Sequence, residues 1–419
     1  MQISEIKKCR ICGNDHFIPV IDLGSQAMSG RFLKKDEPDP PRAPLVLIKC
    51  DNFGIKDACG LIQLKHSVPP LEMYTCGYGY RSGINKTMSD HLTGITKKVQ
   101  AMVSLKKNDI VLDIGSNDGT LLKSYTTVDI RRIGMDPGGE QYQKYYPDTI
   151  RLVSDFFNAA SFKTVFPGDK AKIITSIAMF YDLEQPMEFV DNIRQILHRD
   201  GVWVLEQSYL PTMLAMNSFD TICHEHLEYY AFHQIEWMLR KNNLKAIGIE
   251  FNAINGGSFR VYVAHADSTL AADRAALAKV ILAEQDLHLD TEKPYHEFCT
   301  RVERIRKDLN ALLRAEKAKG KKIFVYGAST KGNVLLQYFR IDSSLITAAA
   351  ERNPEKWGSR TPGTNIPIIS EDEARKQKPD YFLCLPWHFK EEFLERESWF
   401  LREGGKFIFP LPEVEIVER

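Results

Sequence analysis

Three clusters of side chains in this sequence have the types and spacing to do chemistry. The densest is Phe219-Asp-Thr-Ile-Cys-His-Glu-His-Leu-Glu-Tyr-Tyr230, in which His224, Glu225, His226 and Glu228 all titrate or accept protons. It follows Glu206-Gln-Ser-Tyr209 at the end of a predicted strand, where α/β proteins place their reactive groups. Histidines two apart in an extended segment point the same way, so proton transfer, a metal site and a satisfied polar patch all fit this spacing. The second cluster is Cys9-Arg-Ile-Cys12-Gly. Two thiolates separated by two residues grip one tetrahedral ion, and the glycine allows the tight turn. Cys50 and Cys59 offer the second pair at a wide spacing, with His16, His66 and Cys76 as alternatives for one ligand. Four ligands close the coordination shell, so the expected zinc is structural.

The third cluster is Val111-Leu-Asp-Ile-Gly-Ser-Asn-Asp-Gly-Thr-Leu-Leu122. A buried strand runs into a glycine turn and then a helix predicted to begin near Thr120. Gly115 and Gly119 remove side chains that would block close approach of a ligand, and Asn117 lies between them. Asp113, at the strand end, can hold a cationic sulfonium or amino group. A second strand ends at Asp136, whose carboxylate can accept hydrogen bonds from two ribose hydroxyls. Asp155 and Phe156 suit an adenine amine and ring face. This order, with Asp-x-Gly-x-x-x-Gly, resembles the class I methyltransferase motif and implies binding of S-adenosylmethionine (SAM).

Near the end the pattern strand, glycine turn, helix recurs: Gly327-Ala-Ser-Thr-Lys-Gly332 follows Ile323–Tyr326. Its amides with Gly327, Ser329, Thr330 and Lys331 form a pocket for a pyrophosphate. A nicotinamide cofactor is the rival, with Glu351 the one acidic candidate for its ribose. Trp387 and His388 follow another strand and can flank a nucleotide or sugar.

Taken together these motifs resemble the sugar nucleotide C-methyltransferases of branched deoxysugar biosynthesis over nearly the whole length. The resemblance rests on Cys-Arg-Ile-Cys-Gly, Asp-Ile-Gly-Ser-Asn-Asp-Gly, Cys-His-Glu-His, Asn255-Gly-Gly-Ser258 and Val325-Tyr-Gly-Ala-Ser-Thr-Lys-Gly332. It implies a zinc-binding head, a methyl-donor domain and a C-terminal domain for the sugar nucleotide. It also implies methylation at C3 of a 4-keto sugar by a Glu-His pair, which falls on Glu225 and His226. His226 would be the base and Glu225 would orient the ring or support its charge; His224, Tyr78 and Tyr80 would face the substrate. Members of the family carry Tyr where this chain has Cys223, which leaves the sugar and the methylated carbon open. An O-methyltransferase, a zinc-ribbon RNA or protein methyltransferase, and a sugar-nucleotide binding protein are the other readings.

The elements that must position these groups follow from the hydropathy pattern. Strands are predicted at Ile110–Ile114, Arg132–Met135, Ile173–Ser176, Val202–Glu206, Leu244–Glu250 and Phe259–Ala264, then at Ile323–Tyr326, Tyr381–Cys384 and Phe407–Phe409. Between them, apolar residues at helical spacing (Leu270, Leu277, Val280, Ile281, Leu287; Val302, Ile305, Leu309, Leu312, Leu313) predict two long helices interrupted near Pro294. The expected fold is α/β: a zinc-binding head (1–75), a class I SAM-methyltransferase Rossmann-like domain (76–268), a helical connector (269–319) and a second Rossmann-like domain (320–419). Fifty-five basic side chains balance fifty-five acidic ones, so no net field draws the chain to nucleic acid or an anionic membrane. The N-terminus has no apolar core of a leader, and no run approaches the roughly 18 apolar residues of a membrane span. The expectation is a soluble cytoplasmic protein, a monomer or weak homo-oligomer, whose partner is a sugar nucleotide.

Overall fold

In the head, short apolar runs can be buried only by pairing across a small sheet, and the cysteine knuckle closes one end of it. Strands β1 (Phe17–Ala27), β2 (Arg42–Cys50) and β3 (Ile62–Leu64) are antiparallel neighbours. A fourth strand comes from far along the chain: Glu228–Tyr229 pairs with Ile62 and Gln63 of β3. The computed structural model describes residues 3–34, 36–69 and 81–418.

The first α/β unit begins with helix α1 (Lys86–Met102), capped by the Asn85 side chain, which accepts from the Thr87 amide, and burying Leu92, Ile95 and Val99. Strands β4 (Ile110–Ile114), β5 (Arg131–Met135), β6 (Ile150–Val153), β7 (Ala171–Ile177), β8 (Leu197–Ser208), β9 (Leu244–Asn252) and β10 (Ser258–His265) form one sheet in the order β9-β10-β8-β7-β4-β5-β6. Only β10 runs against the rest, pairing antiparallel with both β8 and β9. β4 is wholly buried, as its Ile-Val-Leu-Asp-Ile run requires, and lies beneath α2 (Thr120–Lys123). The strand order reverses between β7 and β4, so the crevice at the carboxyl ends of β4 and β7 is where a parallel sheet binds ligands.

The connector comprises α3 (Arg274–Asp286) and α4 (Lys293–Ala318). Pro294 opens α4 instead of breaking it, because the first turn has no use for the missing amide. Phe298, Val302, Ile305, Leu309 and Leu313 make one buried stripe along α4. Leu270 precedes α3, and Leu287 follows it exposed.

The second α/β unit has strands β11 (Ile323–Tyr326), β12 (Ala349–Glu351), β13 (Ile368–Ser370), β14 (Tyr381–Cys384), β15 (Lys406–Phe409) and β16 (Glu415–Val417), ordered β13-β12-β11-β14-β15-β16. Helix α5 (Thr330–Phe339) leaves the glycine turn after β11. It also grips the head: the Gln337 amide receives the Ala27 N–H and donates to the Ala27 carbonyl, and Asn333 donates to Ser29. No helix among the described residues is long and apolar enough to cross a membrane.

Gly257, between β9 and β10, has φ of 120°, and a Cβ there would lie 2.2 Å from the Thr212 methyl. Gly257→Ala should therefore lower stability by about 1–3 kcal/mol in urea unfolding. Adding Thr212→Ser, which deletes that methyl, should recover part of the loss; an unchanged midpoint in the single variant contradicts this packing.

Candidate active site

The crevice opens into one cavity of about 720 Å³ bounded by both α/β units and by Gly30 and Phe32 of the head. That volume suits a site for organic ligands. Its lining brings together Asp113, Gly115, Asn117, Asp136 and Phe156 of the first α/β unit, Glu225 and His226 of the 219–230 segment, and Gly327, Ser329, Thr330, Lys331 and His388 of the second unit. Four sequence candidates stand elsewhere. Gly119 packs against the Tyr146 ring, and Asp155 is exposed, accepting from the Phe156 amide. His224 is buried with Nε2 bonded to the Ala43 carbonyl of the head, so it ties domains together and does not face the cavity. The Trp387 indole donates to Asp220 and is equally withdrawn. Tyr78, Tyr80 and Cys76 lie outside the described residues.

On the donor side, Gly115 has φ of 70° and would meet Met179 at 3.1 Å if it carried a Cβ. The Gly115 amide donates to Met135, binding the turn to β5. The Asp136 carboxylate accepts from the Asn117 amide and the Gly138 amide, both at 2.8 Å. A carboxylate has about four lone-pair positions, so two remain for hydroxyls. Asp113 accepts from Thr175 at 2.6 Å, and burial pushes its carboxyl up to about 7. A cation beside it would restore the charge, which fits the sulfonium or amino group of SAM.

In the 219–230 segment, His226 Nδ1 lies 2.8 Å from the Thr221 carbonyl, which fixes the proton on Nδ1 and leaves Nε2 as the acceptor of a ring that lines the cavity. The backbone thus supplies a hydrogen bond that orients the ring. Tyr181, which belongs to no recognisable motif, packs its ring 4.3 Å from the imidazole. Burial, with the Lys331 charge adding to it, pushes the imidazole down to about 3, so the ring is neutral. Gly30 approaches the Glu225 carboxylate so closely that a Cβ would stand 2.6 Å from Oε1.

The second glycine turn repeats the first. The Gly327 amide donates to Ala350, and Glu351 accepts from the Ala328 and Asn353 amides at 2.9 and 2.8 Å. Ser329 caps α5 by accepting from Gly332, and Lys331 reaches across to the Asn255 carbonyl of the first unit at 2.9 Å.

In the head, the sulfurs of Cys9, Cys12, Cys50 and Cys59 all lie within 4.8 Å of one another, with Cys9–Cys59 and Cys12–Cys50 at 3.5 Å. Zinc–sulfur bonds near 2.3 Å in a tetrahedron require S···S separations of about 3.8 Å, so the cluster fits zinc. His16 and His66 are not part of it. The knuckle reaches the cavity through Arg10, which donates to Leu64, Ser67 and Glu184 and lies 3.7 Å from the buried Glu228.

Comparison with known proteins gives three successive family matches: a zinc binding domain over residues 9–74, a methyltransferase domain over 88–248 and a C-methyltransferase C-terminal domain over 253–412. The C-methyltransferase NovU of Streptomyces niveus is 28% identical, and the likeness covers 99% of this chain and 98% of that protein. Among solved structures, LepI in complex with SAM is 16% identical over 44% of this chain and 54% of that one, with a TM-score of 0.33. The plantazolicin methyltransferase BpumL is 12% identical over 42% and 83%, with a TM-score of 0.32.

The four-cysteine cluster predicts about one zinc per chain by elemental analysis. Cys12→Ser should lower the melting temperature by several degrees, since a structural metal contributes folding free energy. A metal-free preparation with an unchanged melting temperature contradicts this.

Proposed function

We propose that this chain, which belongs to the SAM-dependent C-methyltransferases with a zinc-binding head, acts on a 4-keto sugar nucleotide and methylates the carbon beside the ketone, C3. The observation that carries this reading is His226, its Nδ1 held by the Thr221 carbonyl, in the cavity that the two glycine turns also line. A carbon next to a ketone is acidic enough for a positioned base to deprotonate. His226 Nε2 takes the C3 proton; the C–H electron pair becomes the enolate π bond and the ketone π pair moves to oxygen. Glu225, lining the same cavity, supports the imidazolium so formed. When bound, SAM supplies a methyl group electrophilic enough to be taken by the enolate carbon.

The remaining assignments follow the geometry. Asp113, Gly115, Asn117, Asp136 and Phe156 hold SAM, with Asp136 on the ribose. The glycine turn Gly327–Gly332 with Ser329, Thr330 and Lys331 holds the pyrophosphate of the sugar nucleotide at the start of α5, and His388 lines the same end. The four thiols of the head need a reducing compartment, which supports placing the enzyme in the cytoplasm.

His226→Asn should bind SAM and sugar nucleotide yet lose about 10²-fold or more in methyl transfer, the contribution of a general base. Wild-type enzyme with a 4-keto sugar nucleotide in deuterated water, lacking a productive donor, should wash deuterium into C3. A methyl found on oxygen by NMR, or normal turnover in His226→Asn, refutes the mechanism.

The depressed imidazole also sets the pH response. The acid limb of kcat/KM should lie well below the ordinary imidazole value near ~6.5, because the ring stays neutral down to about 3. Stability falls in the same direction but begins at a higher pH: as pH falls through about 6.5 the unfolded chain binds a proton that the folded ring refuses. The stabilising contribution is therefore complete above that pH and declines toward about 3. An acid limb at the ordinary imidazole value would contradict the burial of this base.

A further inference from the structure

Gln207 stands next to last on β8, where strand alternation sends Glu206 and Ser208 to one face and Leu205 and Gln207 to the other. Its neighbour Glu206 is well satisfied, accepting from Arg260 at 2.8 Å and Asn252 at 3.0 Å. Gln207 differs. It is 1% exposed, it lines the cavity, and neither its Nε2 nor its Oε1 meets a partner among the described residues. A buried carboxamide without partners is costly, so its place at a ligand cavity points to a ligand.

The sheet tells which ligand. β8 pairs with β7 and β7 with β4, so Gln207 stands two strand spacings, about 10 Å, from the strand that carries Gly115. Asp136 follows β5, one strand further away. In the other direction, Tyr209, two residues on, bridges to Tyr230, and the Leu210 amide donates to the Tyr230 carbonyl. The end of β8 is thus knitted to the segment that bears His226. Gln207 belongs to the acceptor half of the cavity.

We infer that Gln207 is a specificity-determining residue that hydrogen-bonds a hydroxyl of the acceptor. A carboxamide offers two N–H donors and a carbonyl acceptor. A ketone can only accept, and would leave Oε1 unpaired. A hydroxyl accepts from Nε2 and donates to Oε1, satisfying both ends. An acceptor lacking that hydroxyl is rejected because the amide stays buried and unpaired, a stronger filter than shape alone. The inference rests on the keto-sugar nucleotide reading.

The test is kcat/KM on 4-keto sugar nucleotides, each lacking one hydroxyl, for wild type and Gln207→Met. Wild type should lose about 10²-fold or more on one analogue. In Gln207→Met that discrimination should shrink to below about 10-fold, with SAM affinity unchanged by calorimetry. Equal discrimination in both proteins overturns the inference, as does a fall in SAM affinity with the acceptor ratio intact, which would place Gln207 at the donor. If Gln207→Met no longer binds SAM because it fails to fold, Gln207→Glu keeps the shape, removes both N–H donors and takes the same readout. A wild type that methylates no carbon of any 4-keto sugar nucleotide refutes the functional reading itself. A wild type that methylates every deoxy analogue equally well refutes this inference alone.

Discussion

Residues 219–230 run through the centre of the molecule almost without solvent exposure, and the backbone groups buried with them need partners. No single domain could supply them. The Leu227 amide donates to Tyr181 and its carbonyl accepts from Leu64. Glu228 and Tyr229 take their ladder from β3, and His224 bonds to Ala43 of the head. At the other end Asp220 accepts from Trp387 and the Phe219 ring packs 4.9 Å from Phe339, both of the second α/β unit. The segment that carries His226 is therefore held from three sides. Its geometry draws on contacts from the head, the first unit and the second unit together.

The head contributes more than a lid. Arg10 sits between two of the zinc-cluster cysteines, and its guanidinium runs inward to Ser67, Glu184 and the neighbourhood of Glu228. Burial pushes the Glu228 carboxyl well up, and the Arg10 charge works against that shift. Removing one member of such a buried pair costs far more than the pair is worth, because the other is left uncompensated. Since Glu184 lines the cavity and Glu228 follows His226 by two residues, the metal knuckle anchors both edges of the site. Under the proposed mechanism, a structural metal some distance from the chemistry bears on the position of His226 through the Arg10 contacts to Glu184 and Glu228.

How much of this could be read from sequence depended on what each feature needs. β4 was legible to the residue because a parallel strand buried on both faces reads as a near-continuous apolar run, and Ile110–Ile114 is apolar at every position but Asp113. β12 was not, since Ala-Ala-Glu carries no strand preference and is held by its neighbours β11 and β13. β1 was hidden by Pro19 and Gly24, which register shifts absorb. Among site residues, the cysteines, the glycine turns and the carboxylate after β5 announced themselves by spacing. The Thr221 carbonyl that orients His226 could not, because every residue has a carbonyl and only the fold selects one. His224 and Trp387 look reactive by type, but the His224 Nε2 and the Trp387 indole N–H are taken up by contacts between domains. Gln207 was passed over for the opposite reason: its type is bland, and only burial without a partner marks it.

The two α/β units solve one problem twice. Each runs a strand into a glycine turn, starts a helix there, and ends the next strand on an acid that accepts one amide from the turn and one from two residues downstream: Asp136 with Asn117 and Gly138, Glu351 with Ala328 and Asn353. The acid stiffens the turn while keeping lone pairs for a ligand. The two turns and His226 line one cavity, so under the proposed mechanism two nucleotide-sized ligands would be held with their reactive ends toward the same side chain. Carbon methylation needs that arrangement: the enolate is short-lived, and the methyl must be in line when it forms. Holding both partners in advance converts a rare bimolecular encounter into a unimolecular step, with effective molarities that reach about 10⁵ M and above in well-oriented systems. Under the proposed mechanism the paired turns supply that positioning, and the imidazole supplies the proton transfer that starts the step.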